Sequence, residues 1–220
     1  MPKAVTIDIV SDITCPWCAI GLRGLEEGLK RASDAVDATI RFHPFELNPD
    51  MPPEGRNMVE HLGERLGASP DQLAASRDTL KAKAAELDFV MAQGPESRIY
   101  NTFDAHRLLA WAQPSGKQHA LERALFEAYF SQGQDLGDPD VLIAAAVKAG
   151  LDAEEARAVL ESDRHADEVR QEEYLWQSRG IQGVPAFIFD GKYLVSGAQT
   201  PETFEQVLRK VAENAAKADR

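Results

Sequence analysis

The sequence predicts an α/β fold in which a small sheet, built from the two ends of the chain, is interrupted by a long all-helical insertion. Three observations carry this expectation. Alternating apolar residues mark strands near the N-terminus, a comparable pattern returns only after residue 185, and the stretch between carries helix caps and stops without a strand pattern. At 220 residues, with 44% hydrophobic and 27% charged, the chain is long enough to bury one large core with an insertion.

Ala4 to Val10 reads as a strand, because Val5, Ile7 and Ile9 alternate with Thr6 and Asp8. After Ser11–Thr14, a helical spacing of Ile20, Leu22, Leu25 and Leu29 begins at the cysteine pair. Thr39 to Phe42 supplies a second strand, so the start of the chain predicts a βαβ unit. His43 to Gly55 holds Pro44, Pro49, Pro52 and Pro53 and is a loop of restricted backbone. About six helices and no strand are expected between Asn57 and Gly180. Ser69-Pro70-Asp71, Asp138-Pro139 and Asp152 with Glu155 mark helix starts, and Gly116, Gly133, Gly150 and Gly180 mark stops.

Ala186 to Phe189 and Tyr193 to Val195 flank Asp190-Gly191, a hairpin signature. Thr200-Pro201-Glu202 then opens a last helix with Phe204, Val207, Leu208 and Val211 on one side, and the tail from Ala212 to Arg220 is expected to fray. The order is βαβ, helices, ββα. Removing the helices leaves a thioredoxin-like core of residues 1–44 and 181–220, with 56–180 as the helical insertion domain.

The formal net charge of −12 argues against a nucleic-acid surface, which needs clustered Lys and Arg. No apolar run reaches the roughly 20 residues that cross a bilayer, and Lys3 precedes only a short apolar stretch broken by Asp8, unlike a secretory signal. A cytoplasmic location is therefore expected.

Cys15 and Cys18 are the two cysteines, three apart in Cys15-Pro16-Trp17-Cys18. At a strand-to-helix junction this spacing suits thiol–disulfide exchange. Cys15 sits where unpaired N–H groups and the helix dipole favour a negatively charged sulfur. Cys18 lies one turn further in, within reach to resolve a mixed disulfide. Pro16 fits the first helical turn, and Trp17 offers a flat apolar surface beside the reactive sulfur. The other reading, a zinc half-site, lacks a second cysteine pair or a closely spaced histidine pair, so no metal is expected. The active site therefore needs no cofactor beyond its own redox-active disulfide.

Val184-Pro185 lies directly before the third core strand. In this topology a cis Pro185 would rest against the cysteine pair and leave the Val184 backbone free for strand-like pairing with a substrate chain.

Five segments in order resemble the FrnE-like branch of the DsbA family, related to kappa-class glutathione transferases and 2-hydroxychromene-2-carboxylate isomerases. They are Cys15-Pro16-Trp17-Cys18, Pro44 to Pro49, Asn101 to Arg107, Gly183-Val184-Pro185 and Val195 to Gln199. The resemblance implies a thioredoxin-like fold with a helical insertion. It also implies a disulfide oxidoreductase or isomerase acting on thiol- or disulfide-containing proteins or small thiols, and dimerisation in some members. The transferase and isomerase relatives usually carry serine at the Cys15 position, and Gly-Ser-Asp where this chain has Gly197-Ala198-Gln199. Glutathione thus belongs to an alternative reading, as a glutathione-dependent isomerase or transferase. DsbA proteins commonly carry histidine at the Trp17 position, which implies a less oxidising pair here. The resemblance also makes Asn101 and His106 candidates for a wall of the substrate cleft, the other reading being that they tie the inserted helices together. Phe45 and Asn48, in the loop after a core strand, are expected to border the site. Trp111, Phe126, Tyr129, Phe130, Tyr174 and Trp176 read as core or subunit contacts.

Overall fold

A computed structural model describes residues 2–218. The chain opens with β1 (Lys3–Ser11), α1 (Pro16–Arg31) and β2 (Val36–Pro44). In β1 the odd apolar residues Val5, Ile7 and Ile9 are buried, while Thr6 and Asp8 are half-buried. From Val10 onward both faces are covered, because the helical block packs over that end of the strand.

The middle of the chain contains β3 (Arg56–Asn57), α2 (Met58–Leu66), α3 (Pro70–Ala85), β4 (Arg98–Ile99), α4 (Phe103–Ala112), α5 (Gln118–Phe126), α6 (Pro139–Lys148), α7 (Ala153–Leu160) and α8 (Ala166–Ser178). Seven α-helices thus stand where about six were expected, and a two-residue antiparallel pair, β3 with β4, where no strand was. Two residues per strand are too few to show an alternating pattern, which is why the pair leaves no trace in the sequence. A short π-helical turn over Glu127–Ser131 extends α5.

Ser69 forms a capping box with Gln72, and Asp138 and Asp152 cap α6 and α7 through their side chains. Gly116, Gly133, Gly150 and Gly180 all adopt positive φ. The chain closes with β5 (Ala186–Phe189), β6 (Tyr193–Ser196) and α9 (Pro201–Ala218). Asp190 and Gly191 both have positive φ, as a tight hairpin turn requires. Helix α9 continues through the expected fraying tail to Ala218, and residues 219–220 lie outside the described residues.

The main sheet runs β2-β1-β5-β6, with β1 parallel to β2 and antiparallel to β5. Helices α1 and α9 pack together on one side of it. A Cβ on Gly28 would stand 2.7 Å from the Phe204 Cβ, and one on Gly24 would stand 2.6 Å from the Gln199 carbonyl. Side chains at these two positions would therefore push α9 and its leading loop off α1. Phe187 and Phe204 meet edge to face in the layer between, with ring centroids 4.8 Å apart. One contiguous apolar core continues from the sheet into the helices, through Leu108, Leu121, Leu125 and Phe130. Of the aromatic residues read as core or subunit contacts, Phe126, Tyr129, Phe130 and Trp176 are buried, Trp111 is half-buried against the core, and Tyr174 is 75% exposed.

Candidate active site

The turn after β1 folds Asp12–Thr14 under the start of α1. The Cys15 N–H donates to the Asp12 carbonyl at 3.0 Å, and Cys15 then stands as the N-cap with extended backbone (φ −85°, ψ 112°). Pro16 occupies the first helical position, where a missing N–H costs no hydrogen bond. Both thiols are free. The Cys15 Sγ points at the Val184 carbonyl 3.7 Å away, in the loop that enters β5, and the Val184–Pro185 bond is cis as the sequence predicts. Trp17 is 40% exposed on the outer side of the pair. Phe45 packs with Val184 in a small cluster that also contains Val10, Trp176 and Ile188.

Cys18 faces inward. Burial pushes its thiol well above the ordinary range, and the neighbouring Cys15 adds to this, while the Asp12 backbone and the Ser11 side chain oppose it as hydrogen-bond partners. Behind it lies a group of buried polar residues. Asp12 accepts from the Leu47 N–H at 2.7 Å, the Thr14 N–H at 3.2 Å and the Thr14 hydroxyl at 3.3 Å, and Thr102 also bonds to it. The Ser11 hydroxyl donates to Glu122 Oε1 at 2.7 Å. His106 Nε2 stands 3.9 Å from Asp12, and burial drives the imidazole down to about 4, so it is neutral at physiological pH. Burial raises Asp12 and lifts Glu122 to about 8.

A second cluster joins this turn to α8. The Glu46 N–H donates to Glu173 at 3.0 Å, and Arg170 bonds both Glu46 and Glu173 while lying 3.9 Å over the Phe103 ring. Burial, with Glu173 close by, raises Glu46 to about 7. Further along the sheet, His43 is held between Asp8 at 2.9 Å and Glu172 at 3.0 Å.

Cys15, Cys18, Pro16, Trp17, Val184, Pro185 and Phe45 are thus drawn together around one junction. Asn48, next to the Leu47 that bonds Asp12, has its Oδ1 accepting from His61 and Arg65 at 2.8 and 2.9 Å. Asn101 stays near it, donating to the Pro49 carbonyl and accepting from the Phe103 N–H. His106 lies in the interior behind Asp12 rather than on an open surface. The inserted helices are tied instead by Arg107, which bonds Asp104 at 2.7 Å and the carbonyls of Val159, Ser162 and Arg164. Sequence reading missed Asp12, Glu122, Glu46 and Glu173: Glu122 and Glu173 because a lone acid in a helical pattern reads as a solvated surface residue, Asp12 and Glu46 because a lone acid in a turn or loop does so as well. Asp12 alone carried a signal, being a charge flanked by Ser11 and Thr14 immediately before the cysteine pair. Among the described residues, no group of three or more His, Cys, Asp or Glu side chains converges as a metal site, and no helix is long and apolar enough to cross a membrane.

A cysteine pair at the first turn of a helix, facing a cis-proline loop across a small mixed sheet, defines the class of thioredoxin-like thiol oxidoreductases. The chain belongs to the DSBA-like thioredoxin domain family, which matches residues 6–209. It is similar to a probable DsbA oxidoreductase of Streptomyces coelicolor, with 36% identity, a TM-score of 0.88, and coverage of 94% of this chain and 89% of that one. It is 26% identical to the uncharacterized protein YwbO of Bacillus subtilis (strain 168) over 93% of this chain and 96% of that protein. It shares its fold with a 2-hydroxychromene-2-carboxylate isomerase at a TM-score of 0.69 and 16% identity, covering 97% and 98% of the two chains.

Proposed function

We propose that this protein exchanges disulfides with protein or small-molecule thiols in the cytoplasm, with Cys15 as the attacking sulfur and Cys18 as the resolving one. The observation that carries this reading is the asymmetry of the pair. Both sulfurs are buried, but Cys15 stands at the helix cap 3.7 Å from the Val184 carbonyl, whereas Cys18 lies one turn further in, beside the Asp12 backbone and the Ser11 side chain. In the reducing direction the Cys15 thiolate attacks a substrate disulfide R–S–S–R′. An S–S bond forms between Cys15 and R, and R′–S⁻ leaves. Cys18, having lost its proton, attacks the Cys15 sulfur and expels R–S⁻, so two electrons pass to the substrate and the enzyme ends as the Cys15–Cys18 disulfide. Run backwards, the same steps oxidise a dithiol. Trp17 and the Val184 backbone are assigned to holding the substrate chain, and Phe45, which packs on the same small cluster as Val184, to shaping that surface.

The test is insulin reduction and oxidation of reduced ribonuclease by the wild type and by Cys15→Ser. Loss of both activities in the variant is expected, and activity surviving in it refutes the reading. The alternative, a glutathione-dependent isomerase or transferase, draws support from the fold shared with the isomerase. Against it stand Cys15 in place of serine and Gln199 in place of a carboxylate. Calorimetry with glutathione separates the two, since the alternative requires binding.

A further inference from the structure

Resolution of a mixed disulfide needs the inner thiol to lose a proton, and Cys18 is buried away from solvent. Two carboxyl groups lie behind it, and their surroundings differ. Asp12 is met by four donors: the N–H groups of Leu47 and Thr14 and the hydroxyls of Thr14 and Thr102. Its charge is therefore satisfied in place. Glu122 receives one donor, the Ser11 hydroxyl at 2.7 Å, and its second oxygen, Oε2, is fully buried with no partner among the described residues. Such an oxygen is costly as a bare anion and well suited to carry a proton. The same Ser11 side chain neighbours Cys18 and favours its anion. Ser11 thus stands between the inner thiol and, of these two carboxyl groups, the one with a free oxygen. Glu122 and Ser11 also line a cavity with about 10 Å³ of room, close to what one water needs. His43, His106, Gln113, Gln118, Glu168 and Glu172 complete its polar walls.

We propose that Glu122, supplied by helix α5 of the helical insertion, takes the Cys18 proton through the Ser11 hydroxyl when Cys18 resolves a mixed disulfide. This rests on the dithiol-exchange reading above. As the Cys18 S–H breaks, Ser11 Oγ gains that proton and passes its own to Glu122. The Cys18 sulfur then bonds Cys15, and the leaving R–S⁻ is protonated by solvent. The proton departs from Glu122 through the cavity.

The charged neighbours are consistent with this role. Asp12 faces Glu122 from the turn after β1 and disfavours a second anion, while His106, on α4, is neutral. His43, on β2, is occupied by Asp8 and Glu172, and Glu168 and Glu172 project from α8 at the far side of the cavity. Burial places the Glu122 carboxyl near 8, close enough to neutrality for both its forms to be populated, which is where an acid–base group works best.

The experiment mixes reduced enzyme with dithiobis(nitrobenzoate) in a stopped-flow cell. Attack by Cys15 releases one coloured nitrothiobenzoate, and resolution by Cys18 releases the second, so the two steps are read separately. In Glu122→Gln the first release should be unchanged. The second should slow about tenfold or more near pH 7, and its rise should move to the higher pH at which Cys18 ionises unaided. Glu122→Asp should recover part of the rate. Ser11→Ala, which keeps the carboxyl group and removes the bridge, should reproduce the Glu122→Gln profile and carries the test if that variant does not fold. A second release with the wild-type rate and pH profile in either folded variant overturns the proposal. Absence of the first release in wild type overturns the dithiol reading itself.

Discussion

The two sides of the cysteine pair are built from opposite materials. On the outer side stand the exposed Trp17, the half-buried Val184 with its carbonyl on the Cys15 sulfur, and the buried Pro185. Toward the interior stand Ser11, Asp12, His106 and Glu122, all buried, on four different elements or turns. The contrast teaches a division of labour. The outer side offers shape and one backbone acceptor, which suits transient contact with varied chains. The inner side fixes polar groups in a low dielectric, where each unmet hydrogen bond matters. That side is also where the helical insertion meets the sheet, so the insertion contributes groups to the site as well as covering the core.

The sharpest way to break this contrast is to exchange the two sulfurs' roles. Cys15→Ser should reduce insulin reduction to background. Cys18→Ser should also abolish turnover, yet accumulate a mixed disulfide on Cys15 visible on non-reducing gels. Equal adduct formation on either remaining cysteine would erase the distinction between the two sides.

Next in size is Asp12→Ala. It strands the buried N–H groups of Leu47 and Thr14. Each loss is worth roughly 1–3 kcal/mol, so a fall of about 2–4 kcal/mol in urea denaturation is expected. Glu27→Ala, at a solvent-accessible ion pair with Lys30 on α1, should leave stability nearly unchanged.

A pH effect should follow from His43. Burial disfavours its cation, but the hydrogen bonds to Asp8 and Glu172 outweigh that and raise its pKa. A histidine raised on folding contributes stability that is complete below its unfolded pKa of about 6.5 and fades as pH climbs through the folded value. Glu122, raised to about 8, acts in the same sense. Denaturation midpoints should therefore decline from mildly acidic pH toward pH 8 and above. His43→Gln should flatten the part of that decline just above 6.5, and an unchanged slope would remove His43 as its source.

A small stability effect is also expected at Trp17. Because it is exposed, Trp17→Ala should alter stability by only about 0.5 kcal/mol while raising the KM for a protein disulfide several-fold. A lowered Tm with KM intact would mean that Trp17 serves packing instead.

The outer side was largely legible in the sequence, and the inner side was not. The cysteine pair, the proline at the first helical position and Val184-Pro185 are short local patterns whose geometry follows from their neighbours. Strand alternation and the Asp190-Gly191 turn located the sheet for the same reason. Glu122 and Glu173 lie more than 100 residues from Cys18, and each sits in a helix with other charged residues nearby. Only the packing of α5 and α8 against the ends of β1 and β2 reveals that these acids are buried. The β3–β4 pair escaped because two residues hold no period.

The most direct test of the central claim is a redox titration of the intact protein against glutathione buffers, with alkylation and mass mapping of the two thiols. A single two-electron transition is expected, confined to Cys15 and Cys18 and absent from Cys15→Ser. Its midpoint should be more reducing than the roughly −120 mV of a strongly oxidising dithiol pair. A pair that stays fully reduced or fully oxidised across the whole range, or a transition that persists without Cys15, would contradict the account.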